Sequence, residues 1–445
     1  MKFKISLTAA LSFLILVVVA CNSLTSIPPS ALPSAEQPTS PNPTQPIPLQ
    51  TTPETRTPTI EIPATETVTP TVEPTPMEPE TPWPTIAPQP AAPAHLPKGS
   101  SVQLDEIHMV SLTDGWGISG GTLLKTADGG RTWREVTPQA GQADMIYGTF
   151  LDTQTAWIVF STGNQIDNPL TIHHTSDGGH TWTTNQGPPI YPNAAGDMTW
   201  AEFAELDAKN VWVMTRAVYL GAGTHFNHEL FLTADGGQSW TSLDGEISDD
   251  YTGMVFADPE FGLRTLQTLG AYGPGAPAYD VTTDGGATWE NRELPPPPGV
   301  PDLFNQYPYC ETYQPVLLSA QSVHMLVGCF DDNTPPQQFT SYLYSSQDGG
   351  TTWTTVHLPN KVQASLDRLF YFDATHALLL GRDMYKSADG GQTWVYVQTV
   401  NWDAQLSFVD PLHGWATGGA AGQKALVITI DGGKKWAVIK PTITK

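Results

Sequence analysis

Residues 387–394 read SADGGQTW, and nearly the same phrase occurs seven times in the chain. The other six copies end at Trp133, Trp182, Trp240, Trp289, Trp353 and Trp436. Each copy lies between two short apolar, β-prone runs, such as TLLKT before the first copy and TWREV around its end. Asp-Gly-Gly between such runs predicts a hairpin turn, because glycine readily adopts the positive φ that tight hairpins need. The tryptophan after the turn is expected to return to the core.

The spacing of the repeat predicts the fold class. Successive turn aspartates are 49, 58, 49, 64, 41 and 42 residues apart. A basal period near 41 fits one four-stranded sheet per repeat, and radial repetition of such sheets is a propeller. We therefore predict an all-β protein, a seven-bladed β-propeller with about four antiparallel strands per blade. The turn aspartates are predicted to be structural hydrogen-bond acceptors, neither catalytic nor metal-binding: Asp128, Asp177, Asp235, Asp284, Asp348, Asp389 and Asp431.

The N-terminal region has a different composition. Residues 1–20 join a basic start to a short apolar stretch and are predicted to be a signal peptide, followed by Cys21 as the lipidation site. An ordinary signal peptide or an uncleaved anchor is the alternative. Residues 21–97 are rich in proline and threonine and contain no glycine, which predicts a disordered, extended linker. The propeller is assigned to residues 98–445, exported and lipid-anchored to the outer face of a bacterial membrane.

The remaining cysteines and the charge limit the chemistry. Cys310 and Cys329 are expected to form a disulfide across a hairpin, since an exported domain favours one; two buried free thiols are the alternative. Residues 98–445 hold 17 basic and 37 acidic residues, a net charge of −20, with no basic stripe evident in the sequence. This balance excludes nucleic acid as a ligand and disfavours direct adhesion to anionic lipid. No cofactor or metal is expected, and a monomer is expected.

The repeat resembles a known family. The S/T-x-D-G-G-x-S/T-W phrase resembles the Asp box, or bacterial neuraminidase repeat. The longer unit, with GW before it as in TDGWGISG (113–120), resembles the photosystem II assembly and stability factor family of seven-bladed propellers. The resemblance covers about residues 102–443 and implies the propeller fold. It implies little about function, because Asp boxes occur in sialidases, xyloglucanase-type glycosidases, sortilin-like receptors and assembly factors.

Uneven loops indicate where a ligand would bind. The loops between second and third strands are short in blades one, six and seven and long in blades two to five, and the connection before blade five is the longest. Elaborated loops on a regular scaffold favour a binding face, and aromatic side chains there suit sugar rings or an extended peptide. Packing of these rings on one another is the alternative. The predicted ligand-binding residues are Tyr219, His225, Phe226, His228, Tyr272, Tyr307, Tyr309 and Tyr313, with Phe304 beside them.

One position breaks the repeat. Blade three places Glu205 where four other blades have an apolar residue, so either the register shifts around Phe203 or an acid faces the central channel. Together with Glu202 and Asp197 it is a weak candidate for acid and base catalysis.

Three function classes follow. A non-enzymatic scaffold that binds a glycan, a peptide or an envelope protein is favoured by the anchor, the linker and the loops. A sialidase needs three arginines around a carboxylate. Five arginines are candidates, but none lies in the F/Y-R-I-P phrase of the sialidase family. The xyloglucanase type of glycosidase generally carries two propellers. Photosystem assembly is implied only by the resemblance, and that family's arginine-rich patch contrasts with seven arginines in an acidic domain.

Overall fold

A computed structural model describes residues 85–92, 95–138, 143–187, 190, 198–218, 226–243, 250–267, 275–331, 337–400, 402–420 and 423–444. The chain divides into two units, Met1–Pro76 and Met77–Lys445, and every described residue lies in the second unit. The described part forms a seven-bladed β-propeller, with one sheet of four or more strands per blade. None of its helices is long and apolar enough to cross a membrane.

The strands follow in chain order. The N-terminal strand is β1 (Thr85–Pro90), and blade one contains β2 (Glu106–Met109), β3 (Gly115–Ser119), β4 (Thr122–Thr126) and β5 (Thr132–Glu135). Blade two contains β6 (Met145–Phe150), β7 (Ala156–Thr162), β8 (Gln165–Ile166), β9 (Thr171–Thr175) and β10 (Thr181–Gln186). Blade three contains β11 (Met198–Glu205), β12 (Val211–Val218), β13 (Phe226–Thr233) and β14 (Thr241–Ser242). Blade four contains β15 (Asp250–Phe256), β16 (Gly262–Gln267), β17 (Ala278–Thr282) and β18 (Glu290–Glu293).

The short helix α1 (Leu303–Gln306) precedes blade five, which contains β19 (Tyr309–Leu317), β20 (Val323–Asp331), β21 (Gln338–Ser346) and β22 (Thr354–His357). Blade six contains β23 (Arg368–Tyr371), β24 (Ala377–Leu380), β25 (Asp383–Ser387) and β26 (Val395–Thr399). Blade seven contains β27 (Asp403–Phe408), β28 (Gly414–Ala420), β29 (Gln423–Thr429) and β30 (Ala437–Ile439), and β31 (Thr442–Ile443) ends the chain's strands.

The DGG turns join the third and fourth strands of every blade, as the sequence predicts. In the first turn, Asp128 Oδ1 accepts hydrogen bonds from the Arg131 and Thr132 amides at 3.0 and 2.8 Å. Its Oδ2 accepts from Thr132 Oγ1 at 2.6 Å, and Thr126 Oγ1 donates to Oδ1 at 3.0 Å. Gly129 and Gly130 take φ of 74° and 85°, values that side chains rarely tolerate. Each carboxylate thereby holds its turn closed from within.

The carboxylate of the last turn accepts fewer side-chain hydrogen bonds than the carboxylates of the other six turns. Lys435 stands where the other turns have serine or threonine, so Asp431 receives the Lys435 amide at 2.9 Å and the Thr429 hydroxyl at 3.0 Å but no hydroxyl from position 435. This copy therefore lacks one side-chain donor that the other six turns have.

The tryptophans of the turns are less uniformly buried than predicted. Trp133, Trp182 and Trp240 are buried, but the corresponding tryptophans of blades four to seven are half-buried. The fully buried indoles common to several blades belong instead to the second strands: Trp116, Trp157, Trp212 and Trp415. Three of these indole N–H groups reach the next blade, Trp116 at Asp152 O, Trp212 at Gly285 O and Trp415 at Gly129 O. Second-strand tryptophans thus tie neighbouring blades together.

The ring closes between blade seven and blade one. β31 pairs in parallel with β5, so the C-terminal segment becomes a fifth strand of blade one. On the inner side, Gln405 Oε1 accepts from the Ile107 amide at 2.8 Å and Ser407 Oγ accepts from the Met109 amide at 2.9 Å. The first and last blades are therefore joined at both their outer and inner edges.

The folded region begins earlier than the composition predicts. β1 lies within the predicted linker, yet it pairs antiparallel with β10 on the outer edge of blade two. Downstream, the Glu135 carboxylate accepts the backbone amides of His95 and Leu96. Prolines at an edge strand are tolerated because they lose only the N–H groups that face outward. Residues 85–97 are thus attached to the propeller where they are described.

Candidate functional site

A cavity of about 150 Å³ lies in blade five, on the face opposite the DGG turns. We call it the blade-5 mouth and define it by Tyr313, Phe330, Gln338, Phe339 and Gln363. The upper ends of β20 and β21 form one wall, and the connection from blade five to blade six forms the other. The cavity is smaller than the usual range for drug-sized ligands, so it suits one ring or one side chain of a longer ligand.

A row of aromatic side chains crosses the top of blade five. Tyr309, Phe330 and Phe339 occupy directly paired positions on β19, β20 and β21, so all three emerge on the same face of the sheet. The Tyr309 and Phe330 rings stack with centroids 5.1 Å apart. Phe339 is 36% exposed. The row therefore presents an apolar platform that begins inside the mouth and continues to its rim.

The walls of the mouth are held rigidly. A disulfide joins Cys310 and Cys329, which face each other across β19 and β20, and Cys329 lines the cavity. Ser341 Oγ donates to Val362 O at 2.8 Å and accepts from the Ala364 amide at 3.2 Å, which ties β21 to the connection before blade six. A site whose walls are fixed in this way loses little entropy when a ligand binds.

The polar groups of the mouth are mainly uncharged. Gln337, Gln338 and Gln363 bring side-chain amides, and Ser365 brings a hydroxyl. The hydroxyl of Tyr313 donates to the buried carboxylate of Glu311. Burial, together with the Glu311 charge, raises the pKa of Tyr313 well above its usual range, so this ring remains a neutral hydrogen-bonding group. Amides and hydroxyls around an apolar platform, with Asp331 as the acidic lining residue, suit a polar ligand without negative charge.

A buried acid supports the second wall. The Asp367 carboxylate accepts a hydrogen bond from the backbone amide of Gln363 at 2.9 Å. Gly381 leaves space for this carboxylate, since a Cβ at position 381 would lie 1.6 Å from Asp367 Oδ1. Burial raises the pKa of Asp367 to about 6, the nearby charge of Asp383 adds to the rise, and the bond from Gln363 opposes it. The conformation of the wall at Gln363 is therefore coupled to a titrating group.

The predicted aromatic residues divide into three groups. Tyr219, His225 and Tyr272 lie outside the described residues, and for Phe226 only its place at the start of β13 is described. Tyr309 is half-buried and stacks on Phe330 of the mouth, whereas Tyr307 is half-buried against the core cluster that contains Cys310 and Cys329. His228, Phe304 and Tyr313 are buried, which corrects the expectation that they are exposed.

The buried members of that set have structural contacts. The His228 ring lies edge-to-face against Tyr251, with centroids 5.2 Å apart. Phe304 packs from α1 into a cluster with Cys310 and Cys329. These three residues lie in β13, α1 and β19 and pack into the core, and of the three only Tyr313 also lines the blade-5 mouth.

The candidate catalytic carboxylates do not form a pair. Glu205 pairs with Val211 in the same register as Phe256 with Gly262, so no register shift occurs, and it is exposed. In blade four the apolar residue at this position, Phe256, is buried opposite Gly262. Blade three has the reverse combination, a buried valine and an outward acid.

Glu202 is held in an ion pair with Arg216 at 3.0 Å. It is three residues from Glu205 on one strand, so the two side chains leave opposite faces. Asp197 lies outside the described residues. The described geometry thus provides no acid and base pair from these two residues.

Sequence reasoning missed Phe330, Phe339 and Gln363. One signal was available for the first: if Cys310 and Cys329 face each other on antiparallel strands, Tyr309 must face Phe330. Gln363 lies in a connection without repeat signature, and only the folded chain brings it to the mouth.

The fold and the mouth define the chain as a seven-bladed propeller with an elaborated blade five. No family model matches the chain. A xyloglucanase from Paenibacillus sp is 23% identical over 280 residues, which covers 57% of this chain and 25% of that protein. The chain therefore spans about a quarter of the length of the curated relative it matches.

Several solved structures resemble the chain at low similarity. The structure of YCF48 bound to a D1 peptide is 18% identical, covers 79% of this chain and 97% of its own, and has a TM-score of 0.46. A puromycin-hydrolyzing peptidase from Mycobacterium tuberculosis is 13% identical, covers 79% of this chain and 57% of its own, and has a TM-score of 0.47. Such values do not establish a shared function.

Proposed function

We propose that this chain is a surface-tethered lipoprotein whose propeller is a non-enzymatic binding scaffold for a glycan or peptide chain of an envelope partner. The blade-5 mouth is the observation that carries the proposal. It combines an aromatic platform, of which Phe339 is exposed and Tyr309 and Phe330 are half-buried, with amide and hydroxyl groups on rigid walls. These features suit recognition of one polar ring or side chain, with the rest of the ligand lying along the aromatic row.

The proposed location rests on the N-terminal sequence. Cys21 follows a short apolar stretch and precedes the proline-rich linker. At about 3.1 Å per residue, a linker of this composition reaches on the order of 200 Å when extended. A tethered scaffold with such a reach samples partners in the envelope without leaving the membrane. Cys21→Ser is expected to move the protein from the membrane fraction to the soluble fraction; retention of the variant in the membrane would show that the apolar segment itself is the anchor.

The described candidate carboxylates have local contacts of their own. Glu202 is neutralised by Arg216, and Glu205 points to the other face of the sheet. The turn aspartates each accept several local donors, so their lone pairs are occupied in holding turns.

The test is a glycan and peptide array probed with the full-length chain carrying Cys21→Ser. Phe339→Ala removes the exposed end of the platform, and Tyr396→Ala is the matched control, an exposed aromatic residue on the outer strand of blade six. The proposal expects a ligand whose binding Phe339→Ala weakens at least tenfold, while the control binds normally. Equal binding by all three proteins would place the site elsewhere.

A polysaccharide-active propeller is a second candidate, favoured by the 280-residue likeness to a xyloglucanase. Release of oligosaccharides from xyloglucan by the purified chain would support it. Binding of xyloglucan without release would instead make this polysaccharide a ligand of the scaffold.

A further inference from the structure

The net charge of the propeller conceals a strong asymmetry between its blades. Residues 98–367, which include blades one to five, hold nine basic and 31 acidic residues, a net charge of −22. Residues 403–445, which include blade seven, hold five lysines and three aspartates, a net charge of +2. Residues 368–402, which include blade six, hold three basic and three acidic residues, so blade seven is the basic blade of a ring whose first five blades are acidic.

Three lysines of blade seven flank its outermost strand. Lys434 and Lys435 precede β30, Lys440 follows it, and all three are exposed. Among the described residues, none of the three forms an ion pair, whereas Lys424 is paired with Asp105. The three positive charges lie within about 20 Å along one extended edge.

Exposed aliphatic side chains lie beside these charges. Val438 in β30 is 67% exposed, Ile430 in the DGG turn 69% and Leu412 in the preceding turn 54%. Leu412 and the DGG turn are adjacent, since Leu412 O accepts the Gly432 amide at 2.9 Å. We call Leu412, Ile430, Lys434, Lys435, Val438 and Lys440 the blade-7 patch.

The acids of blade seven do not fully cancel the positive charge of the patch. Asp410 and Asp431 lie in the turns beside the patch and keep their negative charges, and Asp431 interacts electrostatically with Lys435. The three lysines outnumber these two acids, so the patch presents a smaller net positive charge together with aliphatic groups on the outer edge of blade seven.

We infer that the blade-7 patch docks on an anionic lipid surface. Lysines near a membrane interact with acidic headgroups, and aliphatic side chains beside them enter the interface. The acidic remainder of the ring is repelled by the same surface, so the asymmetry orients the propeller with blade seven inward. A second copy of the chain fits less well, because two propellers of net charge −20 repel each other. The inference rests on the proposed function only for nearness to a membrane, not for ligand binding at the mouth.

The test uses the full-length chain with Cys21→Ser, mixed with phosphatidylcholine vesicles with or without phosphatidylglycerol, and separated by sedimentation. Any contribution of residues 1–20 is common to all variants. The unmodified patch is expected to prefer anionic vesicles, and salt of about 1 M should abolish the preference by screening. Reversal of the patch with Lys434→Glu, Lys435→Glu and Lys440→Glu should reduce partition into anionic vesicles on the order of a hundredfold, at roughly fivefold per lysine.

The matched control reverses three exposed basic residues elsewhere, with Lys209→Glu, Lys361→Glu and Arg368→Glu. It carries the same change in net charge and is expected to retain most of the preference. Equal losses in both triple variants, or no preference in the parent, would overturn the inference. Salt-sensitive dimers of the parent without any vesicle preference would also overturn it and assign the patch to a second copy. Neither outcome affects the array test of the mouth.

Discussion

Blade five and blade seven start from the same repeat and differ in what was added to it. Blade five has long strands, a disulfide, buried acids and a cavity at the end of its loops. Blade seven has a three-residue outer strand, no cysteine, and lysines and aliphatic groups on its edge. The comparison teaches that the DGG turn is common to the blades, while the opposite loops and the outer edge are where the blades differ.

Removal of the disulfide should have the largest effect on blade five. Cys310→Ala with Cys329→Ala frees a loop whose ends are 19 residues apart, and we expect about 3 kcal/mol less stability. Denaturant unfolding measures the change, and the Cys21→Ser protein serves as the control. An unchanged midpoint would show that packing alone fixes the walls of the mouth.

The pH dependence of the free energy of unfolding should reveal the raised pKa of Asp367, which lies in the connection after blade five. Its pKa of about 6 lies above the unfolded value near 3.8, so the folded state retains a proton that the unfolded state has lost. Its contribution is fully present below about pH 4 and is lost as the pH rises through 6. Asp367→Asn should flatten this part of the profile; an unaltered slope would contradict the assignment.

The turn aspartates change the stability in the opposite direction as the pH rises. Hydrogen bonds from Thr393 and Ser387 lower the pKa of Asp389 to about 2, so its contribution is present above pH 4 and is lost as the pH falls through 2. Together with Asp367, this predicts greatest stability at mildly acidic pH.

The smallest expected effect is a difference in melting temperature between turn variants of blade six and blade seven. Asp389→Ala removes an acceptor of both turn hydroxyls and should lower the melting temperature without altering ligand binding. Asp431→Ala should lower it less, because Lys435 provides no hydroxyl to lose. The reverse order in calorimetry would show that the threonine hydroxyl contributes little to these turns.

The sequence predicts most of the scaffold and little of the site. Seven DGG phrases specify local turns, and local turns at regular spacing determine the blade count. The closure through β31 and the attachment of β1 depend on pairing between distant segments, for which two or six residues carry no signal of their own. The mouth was missed for the same reason, because Phe339 lies in β21 and Gln363 in the connection from blade five to blade six.

The charge asymmetry between the blades is present in the sequence, but the net charge of the whole propeller conceals it. Only the arrangement of residues 434–440 on an exposed outer edge shows that the lysines form one surface.

The most direct test of the account is hydrogen–deuterium exchange of the full-length chain with the ligand that the array selects. The account predicts protection in segments 328–331, 337–341 and 363–365, with no change at 434–440. Protection at the DGG turns or along blade seven, with none at the blade-5 mouth, would contradict the account.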